Sequence, residues 1–189
     1  VMRLMLVLTN VLAMLLFFGI LYSLLGTLQV SESVRLFVMA VATYGTLLTT
    51  FAVTLNNHLP AAVSVLLAIF LLWPADSDEP ARSGKFAIAG LSAAFAVANE
   101  LPALAFFAAF WLLLVWRYPR PTLIWFTPAA LIVAAGFFVT NYTAHGTWSP
   151  PYAHRKDGPV ITTVDRTIIE QLDQKQLPDA LRDSLREAD

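Results

Sequence analysis

The sequence predicts an all-α protein: a multi-spanning transmembrane helical bundle with broken helix pairs and a short polar C-terminal segment. Three observations predict it. Of 189 residues, 58% are hydrophobic and 13% charged, and the mean hydropathy is +0.66, outside the balance of ordinary soluble domains. The charge is displaced to one end: residues 1–140 hold six Lys/Arg and five Asp/Glu, whereas the much shorter stretch 141–189 holds six and eight. The apolar runs are also long enough for a bilayer core of about 30 Å, which takes roughly 20 helical residues.

The first run, 4–26, satisfies that length alone. It exceeds a signal-peptide core and lacks a small-residue cleavage site, and with Val1 in place of a methionine it predicts a piece of a longer protein. A short polar linker, Thr27–Arg35, leads to a second span at 36–55, which ends at Asn56-Asn57-His58. A third, shorter span at 59–73 carries Pro60 in its first turn, where a missing N–H costs nothing. The loop Pro74–Lys85 is rich in Asp, Ser and Pro.

Phe86–Trp116 is then apolar except at Asn99-Glu100, followed by Pro102. A single helix of that length would overshoot the bilayer by about half, and basic residues flank both ends. A hairpin broken at Asn99–Pro102 returns the chain to the side it left, giving spans at 86–98 and 101–116, and 122–140 is the last. Two segments share one pattern, a polar dyad then Leu-Pro between apolar helices: Asn57-His58-Leu59-Pro60 and Asn99-Glu100-Leu101-Pro102.

Cytoplasmic loops collect Lys and Arg. Placing Arg35, Arg82, Lys85, Arg117 and Arg120 inside leaves Arg3, Arg155 and Lys156 near the outer face. Both polar breaks and the tail from Asn141 then lie outside, and the expected location is a bacterial inner membrane with residues 141–189 extracytoplasmic. That tail reads as a Pro/Gly/aromatic loop, Asn141–Gly158, followed by amphipathic helical spacing at Ile168, Ile169, Leu172, Leu177, Leu181 and Leu185, with Thr167 and Glu170 spaced as a capping box. It belongs to a larger extramembrane domain or lies on the membrane.

A net charge of −1 supplies no basic footprint for nucleic acid. The absence of cysteine removes disulfides, thiolate metal sites and a cysteine nucleophile, and there is no phosphate-binding glycine loop, serine elbow or metalloprotease helix.

Glu100 is the first candidate site residue. A carboxylate at hydrocarbon depth costs about 2.5–3.5 kcal/mol or more unless it meets water or a partner, so it is either functional or a helix break at the interface. Asn56, Asn57 and His58 form a second cluster, in which imidazole can act as acid, base or ligand and the amides can bind sugar hydroxyls or phosphate oxygens; the alternative is a plain helix end. Tyr44, Thr46, Thr49, Thr50 and Thr54 read as interhelical hydrogen-bonding groups before ligand contacts. His145 and His154 lie in the outer loop with Tyr142, Trp148 and Tyr152, aromatics that an interfacial belt explains. No pair of the three histidines has helical metal-ligand spacing. Asn141-Tyr142-Thr143 matches a glycosylation sequon.

The opening Val1–Asn10, the stretch Ala42–Leu47 running into Asn56–Ala62, and Ala89–Leu104 resemble the early helix and the broken helix pairs of GT-C membrane glycosyltransferases, the class of protein mannosyltransferases. The resemblance covers residues 1–140. Where many members carry a basic residue and Pro at the second break, this sequence has Asn99-Glu100. The resemblance implies sugar transfer from a polyprenyl-phosphate donor on the extracytoplasmic side. It places the catalytic acidic residue upstream of Val1, and the substrate-binding positions it suggests here are His58, Asn56, Asn57, Glu100, Asn99 and Arg3. It leaves a divalent metal open, for which this segment supplies no ligand set. A secondary transporter, which also builds sites from discontinuous helices, and a non-catalytic membrane scaffold are the competing expectations.

Overall fold

The computed structural model describes residues 2–73 and 83–149, and every regular element among them is helical. Helix α1 is continuous over Arg3–Thr27, with one wide turn at Val7–Val11 in which the Leu12 N–H reaches the Val7 carbonyl five residues back. The chain turns through Gln29, whose φ of 53° is left-handed. Helix α2 (Glu32–Tyr44) opens with the Ser31 hydroxyl accepting from the Val34 N–H at 3.4 Å and Glu32 in its first turn, a side-chain cap with a favourable charge at the positive helix end. After a short helix α3 (Leu48–Ala52) come α4 (His58–Leu72), α5 (Ser83–Asn99), α6 (Ala103–Arg117) and α7, continuous over Pro119–His145.

Two helices have the length and apolarity to cross a membrane, Arg3–Thr27 and Pro119–His145. In their most apolar windows only 11% and 22% of residues are buried within the fold, unlike the core helix of a soluble protein. The apolar helices α4 and α6 have 15 residues each, about 22 Å, which falls short of a hydrocarbon core.

The expected single span over 36–55 is corrected. It breaks after Tyr44, because Gly45 leaves helical geometry at φ −95°, ψ 0° and the threonines bind their own backbone. Thr43 and Thr46 hydroxyls donate to the Met39 and Ala42 carbonyls at 2.8 and 2.7 Å, and Thr49 donates to the Thr43 carbonyl at 3.0 Å. The Leu48 N–H in turn donates to the Thr46 hydroxyl at 3.3 Å. These hydroxyls therefore compete with the helix ladder, and Thr49 ties α3 back to the end of α2. The linker before α2 is also shorter than the polar run suggests, since the Ser31 cap starts the helix before Arg35.

Helix α5 is the centre of the packing, against α4 on one side and α7 on the other. Ala89 and Ala93 let neighbouring helices approach, and with Ala68, Leu72, Phe86, Phe110, Leu114 and Phe126 they form the main core. At Gly90 an added Cβ would meet the Phe126 carbonyl oxygen and lie 2.9 Å from the carbonyl carbon, so α5 and α7 touch backbone to backbone. Phe126 lies in a second wide turn, Thr122–Phe126, closed by the Thr127 N–H on the Thr122 carbonyl. Side chains brace it: Trp111 Nε1 donates to the Thr127 hydroxyl at 3.0 Å, and that hydroxyl donates to the Thr122 carbonyl at 3.0 Å. A second core joins α1, α3 and α4 through Ala13, Ala52 and Leu59.

Helix α7 runs past the expected end at 140 to His145, where Gly146 at φ 71° caps it and donates to the Tyr142 carbonyl at 2.7 Å. His145 is thus helical, whereas a loop position was expected. Asn141 lies on the same helix, only 4% exposed, with its Nδ2 3.3 Å from the Thr147 carbonyl. Such an amide is not presented as a glycosylation acceptor. Tyr142 and Trp148 stack at 4.6 Å. The loop segment 74–82 and the amphipathic positions after 149, with His154, Thr167 and Glu170, lie outside the described residues.

Candidate functional site

The antiparallel hairpin of α4 and α5 determines where the polar breaks meet. Helix α4 starts at His58 and α5 ends at Asn99, so the N-terminus of one and the C-terminus of the other fall at the same end of the pair. Residues at equivalent positions of the two Leu-Pro patterns then pair across it. Asn57 Nδ2 donates to the Asn99 carbonyl, and His58 Nδ1 contacts Glu100 Oε1.

Each partner is held from its own side. The His58 N–H donates to Asn56 Oδ1 at 3.0 Å, an amide side chain serving an otherwise orphan donor at a helix start. The imidazole lies against the Phe51 ring, centroids 4.5 Å apart. The Glu100 N–H still bonds the Ala96 carbonyl at 2.8 Å, and its own carbonyl accepts from Ala103 at 2.9 Å, so the break is one tight turn between α5 and α6 with Pro102 at its exit. Asn99 points back along α5, Nδ2 donating to the Phe95 carbonyl at 2.9 Å. Its side chain is a helix-end group; its backbone serves the site.

The two side chains of the central pair differ in access: His58 is 46% exposed and Glu100 23%, and Glu100 Oε1, shielded from solvent, lies against Nδ1 in a close contact that lacks hydrogen-bond geometry. A carboxylate behind an imidazole fixes which ring nitrogen faces outward. With Nδ1 engaged, Nε2 is the atom left for a ligand. It accepts a hydrogen bond when the ring is neutral and donates one when it is protonated.

Of the residues expected from sequence, the structure brings Asn56, Asn57, His58, Asn99 and Glu100 to one place. Arg3 is exposed near the start of α1, two helical turns before Asn10, and among the described residues no hydrogen bond or ion pair joins it to the pair. The residue that sequence reasoning missed is Asn10. It is fully buried inside the first apolar run, and its Nδ2 donates to the carbonyls of Phe51 and Thr54 at 2.9 and 2.7 Å. Its signal was the Thr9-Asn10 dyad in an otherwise apolar stretch. Buried amides need partners, and wide helical turns often mark functional positions.

Among the described residues no three His, Asp or Glu side chains converge. Comparison with protein-family models, curated proteins and solved structures yields no match.

Proposed function

We propose that the helical region spans a membrane several times and forms part of a GT-C-type glycosyltransferase, which moves a sugar from a polyprenyl-phosphate donor to an acceptor at the extracytoplasmic face. The observation that carries this reading is the His58–Glu100 contact, which joins two polar helix breaks into one partly open site. Large apolar side chains exposed along α1 and α7, among them Leu4, Leu8, Leu15, Leu131 and Ile132, support lipid contact, since soluble monomers rarely expose such continuous apolar surface. The short helices α4 and α6 then span by local thinning of the bilayer or by flanking side chains reaching its surface.

In the transfer, an acceptor oxygen bonds to the anomeric carbon as the bond from that carbon to the phosphate oxygen breaks. The bonding pair leaves with the phosphate, and the acceptor proton passes to a carboxylate acting as general base. This chain's own contribution is at the donor. Nε2 of His58 hydrogen-bonds the sugar or the departing phosphate, Glu100 holds the ring in the orientation that allows it, and the Asn57 amide keeps the two breaks together.

The transporter reading has less support. Carriers coordinate ions through unwound backbone carbonyls, but the Phe51 carbonyl at the end of α3 and the Thr54 carbonyl in the unwound stretch after it already accept from Asn10 and Asn56 at 2.6–2.9 Å.

The test is sugar transfer in membranes containing the full-length protein and a polyprenyl-phosphate-linked donor. His58→Ala and Glu100→Ala are each expected to lower turnover about 10²-fold or more. Wild-type turnover in either variant removes that residue from the mechanism, and transfer absent from the unaltered protein removes the assignment.

A further inference from the structure

We infer that Asn10 is a positioning residue for the His58–Glu100 pair: from the first helix it clamps the unwound segment that presents the imidazole. The inference rests on reading that pair as the functional site.

The contacts form a continuous chain. The wide turn at Val7–Val11 adds one residue to the helical repeat, which changes the helix face on which the residues around it lie. There Asn10 is fully buried. Its Nδ2 donates to Phe51 O and Thr54 O at 2.9 and 2.7 Å, two acceptors for the two amide hydrogens, which fixes the amide orientation; Thr9 Oγ1 lies 2.7 Å from Oδ1 and 2.8 Å from the Met5 carbonyl, with one hydrogen for the two. Asn56 Nδ2 reaches the same two carbonyls at 2.7 and 2.6 Å. Two amides, one from a distant helix and one local, thus fix one pair of acceptors, 41 and 44 residues from Asn10 in sequence.

Both ends of that clamp lead to His58. The Phe51 ring packs on the imidazole, and Asn56, anchored on the same carbonyls, holds the His58 N–H through Oδ1 at 3.0 Å. Asn56 alone ties the segment only to itself. Asn10 ties it to α1, and so adds, to the packing of α4 on α5 and to the core shared with α1, a polar anchor for the segment that presents His58. Without the Asn10 donor the two carbonyls keep Asn56 alone, and the tie between this segment and α1 is lost.

Asn10→Leu keeps the branched outline of the side chain and removes both N–H donors. In the full-length protein it is expected to lower kcat for transfer about tenfold with KM within about twofold, because ligand contacts remain while the reacting geometry loosens. A second readout is independent of activity. The sequence contains no cysteine, so once any cysteine elsewhere in the full-length protein is replaced, Asn57→Cys with Asn99→Cys is the thiol pair, at two positions that touch through the Asn57 side chain. With a protease site inserted between Trp73 and Ser83, a short bis-methanethiosulfonate reagent, which joins the two thiols through reducible mixed disulfides as methanesulfinate leaves, holds the cut halves in one band. Asn10→Leu is expected to lower that cross-linked fraction several-fold. Where the Leu variant does not accumulate, Asn10→Ala carries the same test.

A wild-type cross-linked fraction overturns the inference. So does a wild-type kcat in a protein that His58→Ala inactivates. If His58→Ala transfers normally, the catalytic reading fails, and the cross-link still decides whether Asn10 positions the pair.

Discussion

Gly90→Leu is expected to leave no folded protein recoverable from membranes, and Gly90→Ala to lower the thermal midpoint in detergent by about 5–10 °C. An added Cβ would meet the Phe126 carbonyl oxygen and lie 2.9 and 3.0 Å from the next two backbone atoms. Backbone cannot rotate aside as a side-chain tip can. Phe126 is itself immobile, fully buried against Phe107 and Phe110 in a turn braced by Thr127 and Trp111. The helices must therefore separate, at a cost of about 2–3 kcal/mol for one methyl, which in a chain of this size corresponds to that midpoint shift. Leucine adds three more carbons in the same place. Gly19→Ala and Gly136→Ala are the controls: nothing lies within 4 Å of an added Cβ at either, so helix propensity alone acts, favouring Ala by up to about 1 kcal/mol. Equal midpoints for Gly90→Ala and the controls would contradict the close approach of α5 and α7.

The second large effect concerns how losses combine at the polar pair. Single Ala substitutions at His58 and Glu100 are each expected to lower transfer about 10²-fold, and the double variant no further than the worse single. A carboxylate that acts by holding an imidazole has nothing to hold once the imidazole is gone, and residues acting as a unit are strongly non-additive. Independent roles would multiply to about 10⁴-fold. Glu100→Gln, which keeps an oxygen acceptor for Nδ1 but not the charge, is expected to fall between wild type and Glu100→Ala. A multiplicative double variant would mean that the two side chains serve the substrate separately, despite their contact.

The sequence carried some of this and not the rest, for physical reasons. The break at Asn99–Pro102 was legible because a carboxylate and a proline cannot both continue an apolar helix cheaply, and α5 and α6 end and begin there. The start of α4 was legible from Asn57-His58 and Pro60 in the same way. The break at Gly45 was not, because threonine and glycine are mild in hydropathy, and the departure depends on which backbone oxygen each hydroxyl finds.

Asn10 was hidden by averaging. One amide barely lowers the hydropathy of a 25-residue helix whose best window averages 2.6, yet its burial is decided by carbonyls more than forty residues away. His58 and Glu100 were each visible as polar residues in an apolar setting, but their contact was not. It follows from the antiparallel pairing of α4 and α5, and the shared Leu-Pro pattern only shows afterwards why like positions meet. The backbone approach at Gly90 likewise has no local signal, since Gly19 and Gly136 sit in similar apolar runs and touch nothing.

The most direct measurement moves the thiol pair onto the site itself, with His58→Cys and Glu100→Cys in one full-length protein, the protease site between Trp73 and Ser83, and the reaction carried out in intact membranes. The account predicts that after cutting the halves run as one band until the linker is reduced, and that Arg3→Cys with Glu100→Cys gives separate halves throughout. Separate halves from the 58/100 pair, in a protein that inserts normally, would show that the two breaks do not share a site and would contradict the account.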